Sequence, residues 1–264
     1  MLFSDLLNFQ RIHQPVISFV GGGGKTTAML TLAAELRATG KAVLVTTTTA
    51  IYVPQSELVD QRWVHPTLPP CDFPRRTAFG EKVPQMLVWG SAIQKVPKHK
   101  DKLKGIPREA VDQWHHQYQE IPLLVEADGS KRKPVKAPDD YEPVIPESTG
   151  LVVGVIGLRA LGAPMDVKNV HRLGLFCRVT ESQPGDIITT EHFLKLILHK
   201  KGLFKGTPPG AKKVVLLNQA DLMEQRRKAV LLARQILDNQ CGIEGVVISC
   251  FDPLNHCLLW GERK

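Results

Sequence analysis

The chain has 264 residues, of which 43% are hydrophobic, and carries a formal net charge of +8 at pH 7. That length suits one large α/β domain, and the hydrophobic share is sufficient for a full core. No apolar run approaches the length of a membrane span, and the N-terminus lacks the basic and apolar regions of a secretion signal. We therefore expect a soluble, cytoplasmic protein that does not bind a membrane.

The five cysteines are scattered and include no C-x-x-C pair, so reduced, buried thiols are favoured over a metal cluster. The positive charge is concentrated in patches at residues 95–104, 131–136 and 200–213. A solvated basic face, an anionic small ligand or nucleic acid would each suit such patches. Nucleic acid is the least favoured of the three, because no aromatic-interleaved motif accompanies the charge.

The first predicted elements are a strand, a glycine loop and a helix, in the segment PVISFVGGGGKTT at residues 15–27. Residues 16–20 are apolar and rich in β-formers, which predicts a buried strand. Good helix formers follow the loop and end before Gly40, which predicts an amphipathic helix. A phosphate-binding loop is expected in this context. The predicted nucleotide-binding residues of the loop are Gly21, Gly22, Gly23, Gly24, Lys25, Thr26 and Thr27.

These residue types match the chemistry of a nucleoside triphosphate. Glycines allow several backbone N–H groups to face one anion, and the helix N-terminus adds partial positive charge. We expect Lys25 to contact the β- and γ-phosphates and Thr26 to offer its hydroxyl to Mg²⁺. The match to G-x-x-x-x-G-K-[ST] is incomplete, because Phe19 stands at the first glycine position. A glycine-rich turn that binds nothing is the alternative.

Residues 42–45 predict a second buried strand, which runs into the threonines 46–49. These threonines either lie over a γ-phosphate or simply end the strand. Prolines punctuate residues 54–107, which we interpret as an insertion or lid that contains one strand at 85–90. Residues 108–118 predict a helix.

Residues 121–129 predict a third buried strand with two acids, Glu126 and Asp128, at its carboxyl end. Ligands of parallel sheets bind at the carboxyl ends of the strands. We expect Asp128, together with Thr26, to position Mg²⁺, and Glu126 to orient the nucleophile. Glu126 could serve as the metal ligand instead, and two acids that merely end a strand are the alternative. The predicted catalytic residues are Lys25, Glu126 and Asp128.

A polar loop with several prolines follows at residues 130–146, and its basic side chains are candidates for binding an anionic substrate. Lys131, Arg132 and Lys136 could hold an anion beside the γ-phosphate, and a solvated loop is equally compatible with the pattern. His171 and Arg172 could form a second anion-binding or acid–base pair, although a lone histidine is more often structural.

The remaining predicted elements alternate between apolar strands and helices. Strands are predicted at 151–157, 213–218 and 246–249, and helices at 191–200 and 221–239. This alternation predicts a mostly parallel sheet with helices on both faces. We therefore predict a single α/β domain over residues 1–264, with a P-loop NTPase-like fold.

Asn218 and Asp221 are candidates for recognising the nucleotide base. Together with the two residues between them they resemble the N-K-x-D element of GTPases, in which the aspartate accepts two hydrogen bonds from guanine. Gln219 replaces the lysine that packs over the base, and an N-cap of the next helix is the alternative. The expected cofactors are therefore Mg²⁺ and either ATP or GTP.

Several sequence blocks together resemble the YqeC family. They are VGGGGKTT, VTTTT, EADGSKRKPVKAPDDYEPVIP, GLRALG with VHR downstream, and LNQAD. The third block is far more specific than the glycine loop. The resemblance implies a P-loop NTPase fold and a role as an accessory factor for selenium-dependent molybdenum hydroxylases, in the maturation of a selenium-containing molybdenum cofactor.

The partners implied by the resemblance are a molybdenum hydroxylase or its cofactor-maturation proteins. It indicates a pathway but no reaction, so three hypotheses stay open. The chain could be a maturation NTPase, a P-loop kinase that acts on a small anionic molecule, or a nucleotide-gated cofactor-binding protein without significant turnover. Whether the chain forms a homodimer is open as well.

Overall fold

The structure is a computed structural model that describes residues 2–7, 15–68, 86–97, 99–239, 242–251 and 257–262. Most of its longer strands are continuous apolar runs, as expected for strands buried on both faces of a sheet. In chain order the strands are β1 (Val16–Gly21), β2 (Val43–Thr47), β3 (Ala50–Tyr52), β4 (Gln61–Val64), β5 (Met86–Gly90), β6 (Ala92–Gln94), β7 (Lys102–Lys104), β8 (Leu123–Glu126), β9 (Val135–Lys136), β10 (Leu151–Gly157), β11 (Val170–His171), β12 (Lys212–Asn218), β13 (Gly245–Cys250) and β14 (Cys257–Glu262).

Helix α1 precedes the first strand, the other helices lie between strands, and all of them pack on the sheet through their apolar sides. In chain order they are α1 (Phe3–Leu6), α2 (Lys25–Ala38), α3 (Arg108–Gln117), α4 (Leu173–Thr180), α5 (Thr190–Leu198) and α6 (Met223–Asp238). Within the described residues, no helix is both long enough and apolar enough to cross a membrane.

Nine of the described strands form one sheet, in the order β14-β13-β12-β10-β1-β8-β2-β5-β4. Each neighbouring pair is parallel except β13 and β14. Parallel strands require crossover connections, which the alternating helices supply. The prediction of an α/β fold with a mostly parallel sheet is confirmed.

Helices cover both faces of this sheet, as the side chains of β1 illustrate. Ile17 and Phe19 belong to the core that contains α1 and α2. Val16 faces the opposite side, in a core with α3, and Val20 lies in the core with α4, α5 and α6. Because successive side chains of a strand point to opposite faces, α1 and α2 cover one face and the other helices cover the second.

Residues 54–107 are not wholly an insertion, which corrects the sequence interpretation. β4 and β5 extend the central sheet, since β5 pairs with β2 and β4 pairs with β5. Only β6 and β7 lie outside it, where they form a small antiparallel sheet with β3. Residues 69–85, including the predicted strand residue Gln85, lie outside the described part of the chain.

Candidate functional site

A cavity of about 880 Å³ opens beside the loop that follows β1. Five segments contribute most of its lining: residues 23–27, residues 49–52, residues 129–132, and the pairs 141–142 and 171–172. The first three segments follow β1, β2 and β8, which are adjacent in the sheet. The cavity therefore lies at the carboxyl ends of parallel strands, where α/β proteins bind their ligands.

The glycine loop packs so closely against β10 that side chains are excluded from it. A Cβ at Gly21 would lie 2.3 Å from the Val155 carbonyl oxygen, and one at Gly23 would lie 2.3 Å from the Gly157 nitrogen. Gly21, Gly23 and Gly24 also have positive φ angles of 95°, 85° and 112°. Glycine is the residue that adopts this conformation without a steric cost.

Most of the glycine N–H groups are used inside the protein, which differs from the expectation that they jointly face an anion. By contrast, the N–H groups of residues 24–27 have no acceptor among the described residues, as is usual for the first turn of a helix. An anion at this loop would therefore meet the start of α2. The internal bonds run from Gly21 N to Asp128 Oδ2 at 3.0 Å, from Gly22 N to Val155 O at 2.9 Å and from Gly23 N to Lys133 O at 3.1 Å.

Lys25, the first residue of α2, is 3% exposed and lies between two carboxylates. Its Nζ donates to the Gly21 carbonyl at 2.7 Å and lies 3.2 Å from Asp128 Oδ1 and 3.6 Å from Glu126 Oε1. Burial alone would lower the pKa of Lys25, but Asp128 and Glu126 together outweigh burial and raise it. The ammonium group is therefore charged and lines the cavity.

The two predicted catalytic acids occupy different positions. Glu126 lines the cavity and accepts a 2.6 Å hydrogen bond at Oε2 from the Thr26 hydroxyl. Asp128 is 1% exposed, does not line the cavity, and is bound to the Gly21 N–H and to two lysines. Burial raises the pKa of Glu126, and Lys25 only partly opposes this shift.

This geometry corrects the metal prediction. Thr26 is paired with Glu126 and not with Asp128, so the hydroxyl and carboxylate that share the cavity are those of Thr26 and Glu126. Both are hard oxygen donors, and Mg²⁺ in nucleotide sites uses one or two such protein ligands together with phosphates and water. The residues present therefore fit Mg²⁺. Within the described residues, no group of three or more His, Cys, Asp or Glu side chains converges on a metal position.

Lys136 is a buried structural cation, which corrects its prediction as a substrate-binding residue. It is 1% exposed, lies 3.2 Å from Asp128 Oδ2 and donates to Glu142 Oε2 at 2.7 Å. Arg172 contacts the same Glu142 oxygen at 3.1 Å and also pairs with Asp139. A continuous chain of alternating charges thus connects Lys25, through Asp128, Lys136 and Glu142, to Arg172.

The other predicted substrate residues line the cavity. Lys131 and Arg132 are exposed and adopt positive φ angles of 49° and 64°. Arg172 lines it too, although its guanidinium is already bound to Glu142, Asp139 and the Tyr141 hydroxyl. Burial, with smaller contributions from Lys136 and Arg172, lowers the pKa of His171 to about 4, so its imidazole is neutral at pH 7.

Asn218 supports the glycine loop instead of projecting into the cavity. Its side-chain amide donates to the Gly23 carbonyl at 2.8 Å, and its oxygen accepts from Ser249 at 3.0 Å. Asp221 pairs with Arg159 and accepts a hydrogen bond from the Cys250 thiol. Neither lines the cavity, whereas Gln219 between them does. Recognition of guanine by Asp221 stays a prediction that this arrangement does not favour.

Most of the threonines at residues 46–49 form hydrogen bonds that stabilise the end of β2 and do not face the cavity. The hydroxyls of residues 46, 47 and 48 donate to the backbone carbonyls of Trp89, Glu126 and Val144, and only Thr49 lines the cavity. Sequence reasoning did not single out Tyr52, Lys102 or Tyr141, which line the cavity as well. Lys102 belonged to a basic patch that was visible in the sequence, whereas the tyrosines gave no signal.

A parallel sheet with a glycine loop between its first strand and a helix that begins with Lys-Thr-Thr defines a P-loop NTPase-like fold. Comparison with known proteins places the chain more narrowly. The family model described as YqeC protein matches residues 17–174, and the chain belongs to the YqeC family. It is 34% identical over 204 residues to the "Uncharacterized protein YqeC" of Escherichia coli (strain K12). The aligned segment covers 77% of this chain and 75% of that protein. No solved structure gives a significant match.

Proposed function

We propose that the protein binds a magnesium–nucleoside triphosphate at the start of α2 and hydrolyses it. The observation that carries the proposal is the convergence of three elements on one cavity. They are the cation of Lys25, the N–H groups of residues 24–27, which have no acceptor among the described residues, and the hydrogen-bonded pair of Thr26 and Glu126. Cations, helix N-termini and hard oxygen ligands are the groups that bind polyphosphates.

The residues divide the work as follows. Backbone N–H groups at the start of α2 bind phosphate oxygens, and Lys25 neutralises the charge that develops on the β- and γ-phosphates. Thr26 and Glu126 hold Mg²⁺, which neutralises further phosphate charge when it is bound. Asp128 does not touch the nucleotide. It positions Lys25 and the Gly21 N–H, and Lys136 balances its charge from the other side.

We propose further that this activity serves the maturation of a selenium-containing molybdenum cofactor, as an accessory step for molybdenum hydroxylases. This part depends on membership of the YqeC family and on the resemblance carried by the block at residues 126–146. The name of the Escherichia coli relative adds nothing about its activity. Either ATP or GTP suits the phosphate-binding groups, because these groups do not contact the base.

The first experiment is calorimetric titration of non-hydrolysable ATP and GTP analogues, with and without Mg²⁺. We expect one of them to bind in the micromolar range, at least tenfold more weakly to Thr26→Val when Mg²⁺ is present, and at least a hundredfold more weakly to Lys25→Met. Lys200→Met is the matched control, because Lys200 is exposed and outside the cavity lining.

Thermal unfolding must accompany these titrations, because Lys25→Met leaves Glu126 buried without its cation and leaves Asp128 with Lys136 alone. Thr26→Val keeps the side-chain volume and removes only the hydroxyl, so it tests the site even if the lysine variant is unstable. If neither analogue binds the wild type, or if Lys25→Met and Thr26→Val both bind as the control does, the proposed nucleotide site is wrong.

A further inference from the structure

Within the part of the chain that the structure describes, three cations of the cavity have no carboxylate partner. Lys102 extends from β7, and Lys131 and Arg132 follow β8, and all three line the cavity. Among the described residues, no Asp or Glu oxygen lies within 4.0 Å of their side-chain nitrogens. The other cationic side chains of the cavity and its wall, those of Lys25, Lys136 and Arg172, are each held by two carboxylates.

This contrast divides the cavity electrostatically. Near the glycine loop, the positive charges are matched by Glu126, Asp128 and Glu142, so an incoming anion must compete for them. At residues 102, 131 and 132 no carboxylate of the described residues competes in this way, so a bound anion would face positive charge that these residues leave uncompensated. Cavity walls of one sign raise the local concentration of ions of the opposite sign.

Tyr52 holds two of these cations in place without neutralising them. The Lys102 ammonium and the Arg132 guanidinium each lie 5.9 Å from the centre of its ring, within range of a cation–π contact. The position of Lys102 follows from strand pairing, since Tyr52 of β3 lies opposite Lys102 of β7. Ile51 and Val96 add apolar lining to the same cavity.

We propose that Lys102, Lys131, Arg132 and Tyr52 form a subsite for a second ligand, a phosphate monoester with an aromatic or apolar organic group. Three cations without a carboxylate partner among the described residues favour an anion with more than one charge, and a phosphate monoester carries about 1.5 to 2 negative charges at pH 7. The ring of Tyr52 and the apolar lining of the cavity suit the organic part. The role of this subsite as a second-substrate site rests on the proposed function. The binding of a phosphate monoester there does not depend on it.

The volume of the cavity is consistent with two ligands. At about 880 Å³ it lies near the upper end of the range of roughly 300 to 1,000 Å³ that is typical of small-molecule sites. The groups proposed for the triphosphate all lie at the start of α2 and the end of β8. The four residues of the subsite belong to β3, β7 and the loop after β8, so the two sets share no side chain.

Calorimetric titration of the full chain with phenyl phosphate, inorganic phosphate and benzoate tests the subsite. We expect affinity to decrease in that order, because phosphate lacks the ring and benzoate lacks the second charge. Lys102→Gln combined with Arg132→Gln should weaken phenyl phosphate at least tenfold, and Tyr52→Leu should remove the preference for phenyl phosphate over inorganic phosphate. Lys200→Gln combined with Lys201→Gln is the control, since it removes the same charge from exposed residues outside the cavity.

Titration of the nucleotide analogue into the same variants separates this subsite from the nucleotide site. We expect the Lys102 and Arg132 double variant to bind the analogue within about threefold of the wild type. If the double variant loses the analogue and phenyl phosphate together, these cations serve the nucleotide's own phosphates and the subsite is wrong while the proposed function stands. If the wild type binds phenyl phosphate but no nucleotide, and only the double variant loses it, the proposed function fails and the subsite stands. Equal phenyl phosphate affinity in the double variant and the control would overturn the subsite.

Discussion

At the scale of single residues, the site depends on two acids that lie two positions apart in the chain. Glu126 ends β8 and faces the cavity, where it is bound to Thr26. Asp128 lies behind it, where its carboxylate joins the Gly21 N–H, Lys25 and Lys136. One acid is therefore placed to act on a ligand, and the other keeps two buried lysines and the glycine loop in position.

This division predicts that two similar substitutions differ in their effects on stability and on Mg²⁺ dependence. Asp128→Asn removes the shared counter-charge of Lys25 and Lys136, so we expect the free energy of unfolding to fall by about 3 kcal/mol. Glu126→Gln should cost only about 1 kcal/mol, because burial already raises the pKa of Glu126 and Lys25 keeps Asp128 as a partner. It should nevertheless abolish the Mg²⁺ dependence of nucleotide binding. Urea unfolding and calorimetry measure both effects, and the reverse order of stabilities would contradict the assignment.

The sequence predicted part of this site because local context sufficed. A strand, a glycine run and Lys-Thr at the start of a helix place Lys25 and Thr26 beside the end of a neighbouring strand, which is where Glu126 lies. The roles of Asp128 and Lys136 could not be predicted, since they depend on depth below the cavity surface. Asn218 was assigned to base recognition from its likeness to the N-K-x-D element, and its bond to Gly23, 195 residues away in the chain, could not be seen in the sequence.

At the scale of elements, the glycine loop joins β1 to α2 and packs against β10. Its glycines are required by close contact with β10 and by positive φ angles, and the N–H groups of Gly21, Gly22 and Gly23 bond to neighbouring segments. Asn218, at the end of β12, also holds the loop, because its side-chain amide donates to the Gly23 carbonyl. The start of α2 is thus held from three sides before any ligand arrives.

We therefore predict that Gly23→Ala lowers the free energy of unfolding by about 2–4 kcal/mol. A Cβ there combines a positive φ with a 2.3 Å approach to the backbone of Gly157, which cannot move without distorting β10. Gly129→Ala is the matched control, because no atom lies within 4 Å of its added Cβ, and its effect should stay within about 1 kcal/mol. Urea unfolding measures both. Equal losses in the two variants would show that contact with β10 does not require glycine.

Element prediction succeeded for most of the long apolar runs, although it missed β14, and it failed for the short elements. β1, β2, β5, β8, β10, β12 and β13 are near-continuous apolar runs, and the sequence indicated each of them. β3, β6, β7, β9 and β11 are two or three residues long, too short for a period to be seen. The helix α4 was missed for the same reason, since its eight residues give barely two turns. β3 and β7 carry Tyr52 and Lys102, which the sequence did not single out, whereas His171 on β11 was named as a candidate although its strand was not predicted.

At the scale of the whole molecule, the net charge of +8 is distributed unevenly around the cavity. The buried part of its wall contains alternating acids and bases, from Glu126 and Lys25 through Asp128, Lys136 and Glu142 to Arg172. His171 lies beside the Arg172 end of this series of charges, opposite Lys136 in the pairing of β9 and β11. Burial and the cations of Lys136, Arg172 and Lys131 disfavour its protonation, and only Glu142 opposes them.

The pKa of His171 links this wall to the stability of the molecule. Its value of about 4 in the folded protein is below the 6.5 of an unfolded histidine, so between pH 6.5 and 4 the unfolded state binds more protons. Stability from this group is complete above pH 6.5 and is lost as the pH falls towards 4. The variant His171→Asn does not titrate at this position. Relative to this variant, we expect the wild-type free energy of unfolding, measured with urea, to fall by about 1 kcal/mol between pH 7.5 and 5.5. The prediction is wrong if the free energies of unfolding of the two proteins change in parallel with pH, or if the His171 imidazole titrates near pH 6.5 by NMR. Either result would show that protonated His171 is tolerated in the wall of the cavity.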